Sequence, residues 1–261
     1  MSKSQEKPAP LFGQPRNHKT LTEETLWRLR RDIISGTLPA GGKIKSEDIK
    51  HRYNVGTSPI REALFQLVTD GLVTADGQRG FRVAELRETD LLDIADWRAR
   101  LESEALRRSI EAATLDWEAH AIAAFHRMKR FESDSRFRDM SEREAADTWE
   151  EYHREFHFAL YSTCGSPWLL RFCELLIQHG ERYRRAYIAY PRVAKSITQE
   201  HEALLEAALA RDTERAVDIL EKHIRHAANL ALQHAMKRRP RQPPAVRAKA
   251  APKRRRKSSS A

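Results

Sequence analysis

The apolar positions in the first third of the chain recur at helical spacing and are then interrupted in a fixed order. Between Leu21 and Ile34 the stripe Leu26, Leu29 and Ile33 predicts a helix that stops at Gly36. Pro39, Gly41 and Gly42 break the chain in "TLPAGGKI". A short helix is expected from Ser46, as N-cap, to Tyr53, followed by the tight turn "NVG". A third helix has Ser58 as N-cap and Pro59 at its first position, where a missing N–H costs nothing. Its residues Ile60, Ala63, Leu64, Leu67 and Val68 form one buried face, and Gly71 ends it. Thr57, Ser58, Arg61 and Phe65 fall on the opposite side. Two short strands, Leu72–Thr74 and Phe81–Val83, are expected around "ADGQRG". Helix, helix, turn, helix and two-stranded wing is the order of a winged helix-turn-helix, in which the start of the third helix meets base edges.

From Glu88 onward every segment has helical periodicity. "ETDLLDIADWRARLESEALRRSIEAA" carries Leu91, Ile94, Leu101 and Ala105 on one stripe. Helices are expected over Asp116–Ser133, Glu142–Ser162, Trp168–Tyr190, Ile197–Leu209 and from Thr213 to the C-terminal tail. The short breaks between them, such as "CGSP", suit antiparallel neighbours in an all-α bundle. The fold expected is therefore mainly α, a winged helix-turn-helix followed by a helical bundle. Its divisions are an N-terminal arm over 1–19, a winged helix-turn-helix domain over 20–86, an all-helical domain over 87–236, and a basic tail over 237–261.

Charge sharpens that division. The chain of 261 residues has a formal net charge of +10, yet residues 237–261 alone hold eleven Lys or Arg and no acid. Residues 1–86 are net basic and residues 87–236 net acidic. The basic tail, rich in Pro and Ser, cannot build a core; it is expected to be disordered, either holding phosphates or merely solubilising. No apolar run approaches 18 residues, so no membrane span is expected, and the N-terminus has no apolar signal region. Two cysteines, Cys164 and Cys173, provide no disulfide framework and fit a reducing cytoplasm.

The front motifs carry a resemblance. "GTSPIREAL" followed by "DGLVTADGQRGFRV" resembles the DNA-binding domain of the GntR family of bacterial transcription regulators, over roughly residues 20–85. The resemblance implies that Arg61 reaches the operator and that Gln78, Arg79 and Gly80 form the wing tip. Thr57 stands where family members often carry Arg, so the base readout need not be shared. Lys43, Lys45 and Lys50 are candidate phosphate contacts, against the alternative of solvated surface lysines.

The candidate chemistry lies in the helical half. His153 and His157 are four apart beside Phe156 and Leu160; His201 sits beside Leu204, Leu205 and Leu209, and His223 beside Val217, Leu220 and Ile224. Three helices can thus aim four imidazoles at one interior point, as a bundle metal site requires. Satisfied core histidines remain the alternative reading of the same spacing. "HREFHFALYSTCGSPWLL", "EHEALLEAALARD" and "LEKHIRHAANLAL" resemble the FCD ligand-sensing domain of FadR-type GntR regulators, over about residues 88–235. That resemblance implies metal ligation by His153, His157, His201 and His223, with His153 standing where Asp is common. An all-imidazole set favours zinc, or another transition metal such as nickel. It also implies a small organic acid as effector, held by Arg98 on the first long helix. Arg182, Arg184 and Arg185 are further candidates, with Tyr183 or Tyr187 capping the pocket.

Three functions are weighed. A metalloprotease requires H-E-x-x-H, but Arg154 follows His153, and Glu155 is rotated about 200° from His153 at helical pitch. A metal-dependent hydrolase therefore lacks an evident base. A basic architectural DNA-binding protein explains the tail but not an acidic helical domain with four histidines. The expected function is a ligand-responsive transcription regulator, a homodimer on a pseudo-palindromic DNA operator and a repressor released by its effector, not an enzyme.

Overall fold

The computed structural model describes residues 20–77, 80–133, 139–187 and 195–238. The N-terminal arm, the wing-tip residues Gln78 and Arg79, and the basic tail from residue 239 lie outside the described residues. Helix α1 (Leu21–Ile34) starts where the Thr20 hydroxyl accepts the Glu23 N–H at 3.1 Å, with Glu23 and Glu24 in its first turn. Strand β1 (Lys43–Ile44) precedes α2 (Ser46–Tyr53), which ends on Asn54 in the left-handed region, φ 54°. Ser46 is the first helical residue here; Lys45 occupies the cap position.

Helix α3 (Thr57–Thr69) begins ahead of its expected start, with Gly56 in the cap position. Pro59 still falls within the first turn, whose N–H groups have no intrahelical partner, so the helix absorbs it. Ser58, expected as the cap, donates its hydroxyl to Glu62 Oε1 at 3.0 Å. The other end follows expectation: Gly71, φ +72°, donates to the Val68 carbonyl, and Leu72 donates to that of Leu67. Ile60, Ala63, Leu64 and Leu67 are fully buried and pack with Leu29, Ile33, Ile49, Leu72 and Val83 into one small core.

Strands β2 (Val73–Ala75) and β3 (Phe81–Val83) pair antiparallel, with Val73 opposite Val83 and Ala75 opposite Phe81. Strand β1 adds to the free side of β3, Lys43 opposite Arg82, so the sheet has three strands in the order β1-β3-β2 rather than two. This front unit is a winged helix-turn-helix.

The rest is helical: α4 (Glu88–Glu111), α5 (Leu115–Ser133), α6 (Glu142–Tyr161), α7 (Pro167–Tyr187), α8 (Lys195–Leu209) and α9 (Thr213–Arg238). Helix α6 opens with a capping box: the Ser141 hydroxyl accepts the Glu144 N–H while Glu144 accepts the Ser141 N–H. In the bundle α4 lies against α9 and α7, and α5 against α6 and α8. The core joins Leu106, Met128, Phe156, Leu160, Ile177, Leu204, Leu220 and Ile224. No helix among the described residues is long and apolar enough to cross a membrane.

Helix α7 touches both units. On one side His179 Nε2 bonds the Asp70 carbonyl at 2.8 Å, just past α3, and Arg182 donates to the Ala84 carbonyl, just past β3. The Tyr183 hydroxyl bonds both the N–H and the carbonyl of Arg87, the residue preceding α4.

Candidate metal centre and nucleic-acid interface

At the front, burying Ile60, Ala63, Leu64 and Leu67 turns Thr57, Ser58, Arg61 and Phe65 outward, and all four are exposed. Among the described residues no carboxylate pairs with Arg61; its guanidinium lies 6.0 Å from the Phe65 ring centre. Phe65 meets Phe81 edge-on at 5.4 Å, which ties the outer face of α3 to the wing strand β3. Gly80, φ +91°, takes a conformation costly for other residues, and its carbonyl accepts the Asp76 N–H at 2.8 Å to close the wing turn. Lys43 and Lys45 are exposed, while Lys50 pairs with Glu47 at 3.1 Å.

In the bundle, α6 presents His153 and His157 one turn apart, α8 presents His201 and α9 presents His223. All four are at least 97% buried. One nitrogen from each lies within 4.8 Å of those of the others. His157 Nε2 is 3.1 Å from His153 Nε2, and His201 Nε2 is 3.2 Å from His223 Nε2. Four nitrogens at tetrahedral corners around zinc stand roughly 3.3 Å apart. Spacing and donor type both suit such an ion.

The surrounding groups prepare two of these rings as ligands. Tyr161 donates its hydroxyl proton to Glu102 Oε2 at 2.8 Å. Its oxygen is then left to accept from His157 Nδ1 at 3.2 Å, so the lone pair of His157 sits on Nε2. His223 Nδ1 lies 2.9 Å from Glu200 Oε2, which likewise leaves its Nε2 as an electron-pair donor. Two inward lone pairs plus two further inward nitrogens need more than one shared proton to satisfy them. A cation among them would satisfy all four. The Nδ1 atoms of His153 and His201, on the opposite edge of each ring from Nε2, are buried without a hydrogen bond, with Glu150 Oε2 3.8 Å from that of His153. Burial, reinforced by the neighbouring imidazoles and by Arg184, pushes the His153 and His201 pKa values well below the usual histidine range. Burial does the same for His157 and, more mildly, for His223, where Glu200 opposes it. The rings are therefore held neutral, the form that binds metal.

Two buried ion pairs flank the imidazoles. Arg98 holds Glu102 through Nε at 2.6 Å; Arg184 grips Glu150 through two bonds of 2.9 and 2.8 Å. Trp149 stacks on the His153 ring at 4.5 Å. The sequence reading passed over Glu102, Glu150, Tyr161 and Glu200, although Arg98–Glu102 and His157–Tyr161 are each spaced i, i+4 on one helix face. Of the candidates Arg182, Arg184 and Arg185, Arg184 is the one that reaches this centre, through Glu150. Arg182 is not brought to this centre, because its position on α7 faces the front unit and it bonds Ala84. Tyr183 serves both places: it bonds Arg87 and lines a crevice that also holds Arg98 and Arg184. Arg154 pairs with Glu181, and Glu155 with Arg127, so neither residue between the paired histidines reaches them.

An exposed helix α3 in a winged helix-turn-helix, joined to a helical bundle with a buried histidine cluster, is the arrangement expected of a DNA-binding transcription regulator. Comparison with known proteins agrees. Residues 21–83 match the model of bacterial regulatory proteins, gntR family, and residues 93–226 match the FCD domain. The chain belongs to the GntR family and carries an FCD domain. It is 39% identical to the HTH-type transcriptional regulator BphR of Paraburkholderia xenovorans, covering 85% of this chain and 89% of that one. It is 36% identical to the HTH-type transcriptional repressor GlaR of Escherichia coli, covering 75% and 89%. Among solved structures, E. coli McbR/YncC superposes with a TM-score of 0.69 at 20% identity, covering 83% of this chain and 99% of that one. That likeness speaks to the fold alone.

Proposed function

We propose that this regulator is a cytoplasmic homodimer that represses transcription from a pseudo-palindromic operator and is released by a small carboxylate bound beside a metal in the helical body. The observation that carries the reading is the convergence of His153, His157, His201 and His223 in one buried cluster with two lone pairs oriented inward. Zinc is the favoured ion, with nickel or another divalent transition metal as the substitute an all-imidazole set would admit. When bound, the ion would be held by His153, His157, His201 and His223 and would supply a fixed positive charge that attracts an anion. We take residues 20–86 as the DNA-binding unit and 87–236 as the sensing and dimerisation unit. The repressor sign is supported by the name of the E. coli relative GlaR.

On DNA, α3 enters the major groove with Thr57, Ser58 and Arg61 at base edges. Lys45 holds a phosphate, and Gln78, Arg79 and Gly80 approach the backbone as the wing tip. In the body, Arg98 gives its guanidinium to the effector carboxylate while Glu102 holds the side chain in place. Arg182 and Tyr183, first considered as effector contacts, act in this reading at the joint between the units. Through His179, Arg182 and Tyr183, α7 grips the chain just beyond α3, just beyond β3 and just before α4. A displacement of α7 therefore re-aims the recognition helix and changes the spacing of two half-site readers.

Metal analysis of the full chain, wild type beside His157→Ala, tests the centre. One equivalent of metal is expected in the wild type and little in the variant, with the helical content of both unchanged. Negligible metal in both would sink the sensing mechanism while leaving the DNA-binding assignment in place.

A further inference from the structure

The residues around Gly180 narrow the chemistry of the effector. Arg98 and Arg184 come from different helices, yet each turns its Nη1 toward the same glycine. A Cβ placed on Gly180 would lie 3.0 Å from Arg98 Nη1 and 3.7 Å from Arg184 Nη1. Glu102 and Glu150 hold the Nε and Nη2 edges of the two guanidiniums, fixing their orientation. Two like charges so close, each 7% exposed or less, form one end of a crevice between α4, α7 and α9.

The rest of that crevice is apolar. Leu91 and Ile94 line it from α4, and Ile224, Ala227, Ala228 and Ala231 line it from α9. Among the described residues, Arg98 and Arg184 are the charged ones that line it. The same helix faces carry the histidine centre: His223 precedes Ala227 by four residues on α9, and Glu102 follows Arg98 by four on α4. The crevice itself brings the two guanidiniums together with a hydrocarbon wall and with Tyr183, whose hydroxyl bonds Arg87 at the joint with the DNA-binding unit. Its cavity volume is about 10 Å³, room for about one water.

Resting on the carboxylate reading above, we infer that the effector is a monocarboxylate with an apolar body, its head held by Arg98 and Arg184 and its body laid along the α4–α9 wall. A second carboxylate at the far end would be desolvated against Leu91 and Ala231 with no cation to meet it. A body larger than one water must part α4, α7 and α9 to enter. That parting acts on the helix whose Tyr183 holds the start of α4, which links the size of the ligand to the switch.

Titration calorimetry on the zinc-loaded full chain tests this, using acetate, butyrate, hexanoate and the matched dicarboxylate adipate. Affinity is expected to rise about fourfold per added methylene from acetate to hexanoate, with hexanoate at least tenfold tighter than adipate. Ile94→Ala, at a partly exposed wall position, should weaken hexanoate severalfold and leave acetate unchanged. A flat series with acetate bound, or adipate matching hexanoate, would overturn the apolar body and spare the carboxylate reading. Failure of acetate to bind the metal-loaded chain at all would overturn both.

Discussion

The two units of this regulator place their polar chemistry on opposite sides of their cores. In the front unit Leu29, Ile60, Leu64 and Leu67 make an apolar interior, and the groups proposed to meet DNA lie outside it, on α3 and the wing. In the helical body the interior around the histidine cluster holds four imidazoles with the Arg98–Glu102 and Arg184–Glu150 pairs, all nearly inaccessible. Desolvating such groups costs several kcal/mol per ion before pairing recovers part of it. A core serving stability alone would be better filled with Leu and Ile. In the proposed reading, the contrast separates a surface suited to a large polyanion from an interior suited to a small anion.

The most severe break of that contrast is Glu150→Ala, which leaves Arg184 charged and buried without its carboxylate. Chemical denaturation should show a loss of about 3–5 kcal/mol. The same change at Glu47, exposed and paired with Lys50, should cost less than about 1 kcal/mol. Similar costs at the two positions would show that burial does not distinguish the two units. Next in size is Arg61→Ala, expected to weaken operator binding by about 1–3 kcal/mol with no change in thermal stability. Unchanged affinity in a gel-shift titration would remove Arg61 from the readout.

The smallest effect should be at the joint. Burial, with some help from Arg182, holds the His179 pKa below its usual value, opposed by its bond to the Asp70 carbonyl and by the charges of Asp70 and Asp90. Because the docked pKa is depressed, this residue's contribution to docking is complete above about pH 6.5. It declines as the pH falls below that value, where an undocked His179 takes up a proton more readily. The protection factors of the amides of residues 84–87, corrected for the intrinsic exchange rate at each pH, should fall between pH 7.5 and 5.5, and less so in His179→Gln. An equal fall in both would place the pH dependence elsewhere.

Local signals were clearest where one element contains both cause and effect. The stripe of α1, the apolar face of α3 and the glycine closing it at Gly71 could all be read directly, as could the i, i+4 pairing of His153 with His157. Strand β1 could not: two residues after a glycine pair have no pattern of their own, and only pairing with β3, some 38 residues on, makes them a strand. The start of α3 was misplaced for a related reason. Ser58 suits a cap, but Glu62 takes its hydroxyl, and Gly56 provides the extended residue that precedes the helix.

The sequence alone determined the order of elements and the charge division between the two units, because periodicity and motif spacing are properties of a single strand of chain; the four histidines were one set only through the family resemblance. Only the tertiary structure decided which arginines share the centre. Arg182 and Arg184 are two residues apart on α7, and a helix turns neighbours at that spacing to nearly opposite sides. Arg184 therefore faces Glu150 and the imidazoles, while Arg182 faces Ala84. Which side meets the bundle is set by how α7 packs, through Gly180, against α4.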